Sequence, residues 1–157
     1  MRVRLGIAGA LAAVCASVVL APSAHAADPI YGGVQTIVNE QTGRCLDSDV
    51  KGYVYTKACT DNNRYQQWHL ETEGGDLHIR NVQTGFCLTA VNGEEVRAIP
   101  CAGSYRPMSW EVIKWRGNNI RSRPLVTNLD SDHKGNVYLK SGSLDNRYQS
   151  WLFYPAG

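Results

Sequence analysis

Two stretches of the chain carry the same polar and aromatic side chains at the same spacing. Leu46 to Trp68 reads LDSDVKGYVYTKACTDNNRYQQW, and Leu129 to Trp151 reads LDSDHKGNVYLKSGSLDNRYQSW, equal in length with no gap. Asp47, Tyr55, Tyr65 and Gln66 in the first stretch return as Asp130, Tyr138, Tyr148 and Gln149 in the second. A carboxylate accepts hydrogen bonds from adjacent hydroxyls, and an aromatic face covers the apolar C–H side of a sugar ring. The set therefore suits a polyhydroxylated ligand held on a shallow surface.

A worn third copy, Leu88 to Trp110, reads LTAVNGEEVRAIPCAGSYRPMSW. It keeps Leu88, Val96 and Trp110 but has Thr89 for the Asp, Arg97 for the first Tyr, and Pro107 with Met108 for the Tyr-Gln pair. In one isolated unit, an Asp that caps a turn and a Tyr packed on a strand would be explanation enough. Scaffold duties alone do not require unit three to keep the polar set while unit two loses it, so the set is separable from folding. Trp68, Trp110 and Trp151, with Gln66 and Gln149, read as scaffold.

Catalysis finds little support. Asp47 with Asp49, and Asp130 with Asp132, resemble an acid and base pair of a glycosidase, but Asp49 and Asp132 sit in polar turn segments with nothing nearby to raise a pKa. His69, His78 and His133 occupy non-equivalent positions, and no Ser, Cys or Gly motif of a hydrolase accompanies them. The expectation is no catalytic residue, no metal and no cofactor.

The elements that must hold this set are short strands. Ile37, Ile79 and Ile120 head three units, followed in register by Leu46, Leu88 and Leu129, by Val54, Val96 and Val137, and by Trp68, Trp110 and Trp151. The steps are 42 and 41 residues throughout, so each unit sends aligned apolar residues into a shared core. Strands are expected at Val34 to Asn39 and from Arg44, split by Gln41-Thr42-Gly43, and the second unit repeats this around Gln83-Thr84-Gly85. Hairpins centred on Gly74-Gly75 and Gly117-Asn118 join the units, dense turns leave no room for helices, and Trp151 to Tyr154 is expected to close against the first strand. Three units of about four strands argue against a propeller, which usually has at least four blades. The predicted class is an all-β trefoil, with repeats at about 35–75, 76–117 and 118–157.

Residues 1–26 stand apart: Arg2 and Arg4, an apolar Leu5 to Leu20, and Ala24-His25-Ala26 read as a signal peptide cut after Ala26. The apolar run is shorter than the roughly 20 residues of a membrane span, so no membrane insertion is expected, and 27–157 forms one domain. Without Arg2 and Arg4 the formal charge of +2 falls to near neutral. That argues against nucleic acid, which needs clustered Lys and Arg; Lys114, Arg116, Arg121 and Arg123 read as a solvated hairpin. Cys45 and Cys59, like Cys87 and Cys101, are 14 apart, and unit three has Asn128 and Gly142 in their places. An oxidising compartment and the repeat select the bridges Cys45–Cys59 and Cys87–Cys101. A zinc site is disfavoured because there is no CxxC pair or matching histidine.

Gln66-Gln67-Trp68 and Gln149-Ser150-Trp151 match the QxW signature of ricin-B-type β-trefoil lectins, and Cys45-Leu46-Asp47 matches the CLD that opens their sugar site. Within that family the chain most resembles the small actinomycete lectins of the actinohivin type, through Leu46-Asp47-Ser48, Gly52-Tyr53-Val54-Tyr55-Thr56 and Tyr65-Gln66. The resemblance covers Gln35 to Tyr154 and implies ligand contacts from the Asp, both Tyr and an Asn shortly before the second Tyr. One extra residue in that loop leaves Asn62 or Asn63, and Asp145 or Asn146, as the candidates. Lys57 and Lys140 stand where actinohivin-type pockets have an apolar residue. The resemblance implies a secreted lectin for mannose- or galactose-type glycans or glycoproteins, with sites in units one and three. The alternative is a trefoil that binds another secreted protein, as a protease inhibitor or the targeting subunit of a toxin.

Overall fold

The computed structural model describes residues 28–102, 105–143 and 145–156, so the expected signal peptide lies outside the described residues. Twelve strands run in chain order: β1 Val34–Asn39, β2 Cys45–Ser48, β3 Val54–Lys57, β4 Gln67–Glu73, β5 Asp76–Asn81, β6 Phe86–Ala90, β7 Val96–Pro100, β8 Trp110–Lys114, β9 Asn118–Ser122, β10 Thr127–Ser131, β11 Val137–Lys140 and β12 Ser150–Pro155. All pairings are antiparallel. β1, β4, β5, β8, β9 and β12 close a six-stranded barrel, with β12 laid along β1 from Gln35 opposite Pro155 to Asn39 opposite Trp151. Hairpins β2–β3, β6–β7 and β10–β11 cap one end. This is a β-trefoil, and its closure leaves the barrel strands no free edge. Among the described residues no helix is long and apolar enough to cross a membrane.

Helix is not wholly absent, against expectation. Single 3₁₀ turns at Arg64–Gln66, Arg106–Met108 and Arg147–Gln149 end each unit just before its tryptophan strand. In the first and third, the Oδ1 of Asn63 or Asn146 accepts the backbone N–H two residues on, at 3.1 Å, which caps the turn. No periodicity shows in a three-residue element, so the pattern could not reveal it.

The repeated Ile, Leu and Trp residues meet in one core with no exposed surface. Each tryptophan also donates its indole N–H to a leucine carbonyl on the cap: Trp68 to Leu46 at 2.9 Å, Trp110 to Leu88 at 2.8 Å and Trp151 to Leu129 at 3.0 Å. Val137 departs from its expected place, being only partly buried, and Leu139 on the same strand takes up the core contact. The three cap hairpins hold one another in a ring, with the N–H groups of Ala98, Leu139 and Thr56 donating to the carbonyls of Gly52, Glu94 and Gly135 at 2.9, 2.9 and 2.8 Å. Gly52 has φ +78°, and a Cβ there would lie 2.1 Å from the Ala98 carbonyl oxygen, so only glycine permits this approach.

Cys45–Cys59 and Cys87–Cys101 are bridged, as the repeat selected. Unit three replaces the bridge with a hydrogen bond of 3.1 Å from Asn128 Nδ2 to Gln149 Oε1. Replacing Cys45 and Cys59 together by Ala should lower the unfolding free energy by about 3 kcal/mol, the chain-entropy value for a loop of this size. Urea denaturation reads this directly, and an unchanged midpoint would show that the bridge adds no stability.

Candidate functional site

Strand register places Asp47 opposite Tyr55 on β2–β3 and Asp130 opposite Tyr138 on β10–β11. In unit two the same pairing sets Thr89 against Arg97. The 3₁₀ turn after Asn63 then brings Tyr65 and Gln66 to the carboxylate. Gln66 acts as a clamp: its Nε2 donates to Asp47 Oδ2 and to the Ala58 carbonyl, both at 3.0 Å, while its Oε1 accepts from the Thr60 N–H at 2.9 Å. Gln149 does the same with Asp130, Ser141 and Ser143, each at 3.0 Å. The sequence put these glutamines both in the polar set and in the scaffold; here they fix the direction of the carboxylate.

In unit one these side chains border a depression of about 360 Å³. Asp47, Tyr55, Asn63, Tyr65 and Gln66 line it together with Val50, Lys57 and Thr60. Asp47 is only 3 % exposed. Burial pushes its carboxyl above the ordinary carboxylate value, against the lowering pull of the Gln66 hydrogen bond and the Lys57 charge. Burial and then the Asp47 charge push the Tyr55 phenol up to about 12, so it stays a proton donor at any physiological pH. The Lys57 ammonium lies 5.2 Å from the Tyr55 ring centroid. Two carboxylates, Asp47 and the turn-forming Asp49, two tyrosines and one ammonium thus border one concave surface.

Unit three holds the same groups in a closed arrangement. Asn146 Nδ2 donates to Asp130 Oδ2 at 2.9 Å, and the Tyr148 hydroxyl is hydrogen-bonded to His133 Nε2. Val50 occupies the position of His133 in unit one, where it is exposed and leaves Tyr65 without that tether. His133 therefore belongs beside this set, a role hidden when it is compared only with the other histidines. The visible signal was that Val50 stands where unit three has His133, inside the otherwise identical Leu-Asp-Ser-Asp-x-Lys-Gly run of the two copies.

Asn62 and Asp145 do not join the carboxylates. Asn62 adopts φ 58°, a left-handed turn conformation that asparagine tolerates, and borders a second depression with Thr36 and Asp61 that shares Thr60 and Asn63 with the first. Asp145 turns away to pair with Arg116 at 2.6 Å. Asn63 instead lines the Asp47 depression, and Asn146 bonds Asp130. Asp49 and Asp132 build turns: Asp49 Oδ1 accepts from the N–H groups of Lys51 and Tyr53 at 2.9 and 3.0 Å, and Asp132 Oδ1 accepts from those of Lys134 and Asn136, both at 2.9 Å. In unit two, Arg97 straps two hairpins together, donating to the carbonyls of Gly52 and Lys51 at 3.1 Å each and lying 4.1 Å from the Tyr53 ring centroid. Met108 replaces the clamp, its Sδ accepting from the Ala102 N–H at 3.4 Å. Among the described residues no cluster of His, Cys, Asp and Glu could hold a metal ion.

A family profile for the ricin-type beta-trefoil lectin domain matches residues 33–151. The chain belongs to the ricin-type β-trefoil lectin family. Solved structures share the lectin fold at low identity. The Macrolepiota procera ricin B-like lectin in complex with lactose aligns with TM-score 0.69 and 18% identity, over 82% of this chain and 99% of that one. A Clostridium perfringens endo-β-galactosidase that releases GlcNAcα1-4Gal aligns with TM-score 0.72 and 17% identity, over 81% of this chain but 34% of its own. The Haemophilus ducreyi cytolethal distending toxin aligns with TM-score 0.65 and 15% identity, over 79% and 84% of the two chains. No curated protein matches the sequence.

A raised folded-state pKa means that the native lectin domain binds the Asp47 proton more tightly than the unfolded chain does. The associated stability is present below the ordinary carboxylate pKa and is lost as pH rises through the folded value. Asp47→Asn keeps an acceptor for Gln66 while removing the buried charge. Its urea midpoint should exceed the native one at pH 7 and converge with it at about pH 3, below the ordinary Asp value. A lower midpoint at pH 7 would contradict this.

Proposed function

We propose that the protein is a secreted, non-catalytic lectin that binds mannose- or galactose-type glycans through units one and three, with unit two degenerate. The observation that carries this is the depression around Asp47, Tyr55 and Tyr65, in which Gln66 holds the carboxylate toward the groups a sugar hydroxyl would meet. Asp47 accepts from a pair of ring hydroxyls, Tyr55 and Lys57 donate, and a tyrosine ring covers the C–H face. The mannose option follows the actinohivin-type likeness of the unit, and the galactose option follows the lactose complex of the Macrolepiota relative. The non-catalytic reading is supported by the second carboxylates, Asp49 and Asp132, each of which uses Oδ1 to hold a turn. The apolar leader and the two disulfides support an extracellular setting.

Unit one is the open site, whereas Asp130 and Tyr148 must exchange their Asn146 and His133 partners for ligand. The two sites are therefore unequal, and clustered glycans that engage both gain by multivalency. On a glycan array, Asp47→Ala with Asp130→Ala should abolish the binding of the native protein. Asp47→Ala alone should weaken it by about tenfold or more, the range for losing hydrogen bonds to a charged group, and Asp130→Ala alone by less. Binding indifferent to the double change would remove the glycan reading and leave a protein-binding trefoil in its place.

A further inference from the structure

Trp115 is the outlier among the four tryptophans. It is 58 % exposed at the turn between β8 and β9, whereas Trp68, Trp110 and Trp151 have no exposed surface. It has no aromatic counterpart in the first unit, where Glu73 holds the same position in register. A single exposed apolar side chain needs no explanation by itself; its surroundings are what give this one meaning.

Trp115 forms one wall of a cleft of about 260 Å³ between the β8–β9 turn and the loop that leads into β12. The turn is pressed onto β12, since a Cβ at Gly117 would sit 2.0 Å from Ser150 Oγ, and the Trp115 N–H donates to the Gly117 carbonyl at 2.8 Å. The backbone that carries the ring is thus fixed against β12. Two ion pairs border the cleft, Arg116 with Asp145 at 2.6 Å and Arg147 with Glu40 at 2.9 Å. Their carboxylates keep lone pairs, and their guanidinium groups keep N–H donors, for a further partner. Ser150 also lines the cleft, with its hydroxyl buried against Gly117. An indole face beside paired charges of both signs suits one neutral polyhydroxylated ring better than a charged or purely apolar ligand.

Asn146 connects this cleft to the unit-three set. Its side chain donates to Asp130 and it also lines the cleft, so the two lie on either side of one residue. We propose that the Trp115 cleft is a sugar subsite adjoining the Asp130 set, so that unit three takes an oligosaccharide, whereas unit one, whose matching depression beside Asn63 has no aromatic wall, takes a terminal ring. This rests on the lectin reading and extends it to a site outside the repeated motif.

The test is a ¹H–¹⁵N titration of the protein with methyl mannoside, methyl galactoside, α-mannotriose and lactose. Indole N–H signals report on the cleft, and backbone amides near Tyr55 and Lys57 report on unit one. The Trp115 indole signal should shift with mannotriose or lactose and much less with the corresponding monosaccharide, while the three buried indoles stay still. Trp115→Ala should weaken that oligosaccharide by about threefold to tenfold, as expected for one aromatic contact, and leave the response near Tyr55 unchanged. A response near Tyr55 with a silent Trp115 would overturn the subsite and leave the lectin reading standing. Silence at every signal with all four sugars would overturn both.

Discussion

Each buried tryptophan donates its indole N–H to the carbonyl of a leucine 22 residues earlier, and this one contact joins the barrel to its cap three times. An indole N–H buried without a partner would cost on the order of 1 to 3 kcal/mol, so the leucine carbonyl must be present wherever the tryptophan is. The leucine carbonyl in turn belongs to the strand that carries the Asp or Thr at the next position. Satisfying the core therefore fixes where residues 47, 89 and 130 stand, whatever their chemistry.

The groups proposed to face a sugar are placed by that geometry without being required for it. Unit two shows the separation: it keeps Trp110 on Leu88, while Thr89, Arg97 and Met108 hold the polar positions by other means. Arg97 is a strap to the first hairpin, and Met108 is a weak acceptor in place of a glutamine clamp. Unit two has been reassigned to holding the cap together. Units one and three keep the Gln–Asp clamp, yet Val50 leaves the first open and His133 tethers the third. Threefold symmetry of the scaffold thus coexists with three different surfaces.

Much of this was legible in the sequence, because the repeat compares the chain with itself. Aligned Ile, Leu and Trp positions gave the core, equal cysteine spacing gave the bridges, and strand closure followed from a last strand with no unit after it. The misses have local causes. The 3₁₀ turns are too short to show periodicity, and the extra loop residue made Asn62 and Asn63 equivalent on paper until a left-handed backbone at Asn62 separated them. Leu139 took core contact expected of Val137 because alternation within a short strand does not say which of two apolar neighbours packs deeper. The Asn146 and His133 contacts join positions 16 and 15 residues from their partners, and no spacing rule reaches that far. Trp115 escaped attention because it lies outside the repeated motif, in a hairpin read for its turn and its charges.

The central claim is that a sugar is held by the polar set that the scaffold positions but does not need. A crystal structure of the protein with the glycan it binds best on an array tests this most directly. The account predicts a sugar ring in unit one with its hydroxyls on Asp47 and its C–H face against Tyr55 or Tyr65. A ring bound only against unit two, around Thr89 and Arg97, with the Asp47 depression empty, would contradict it.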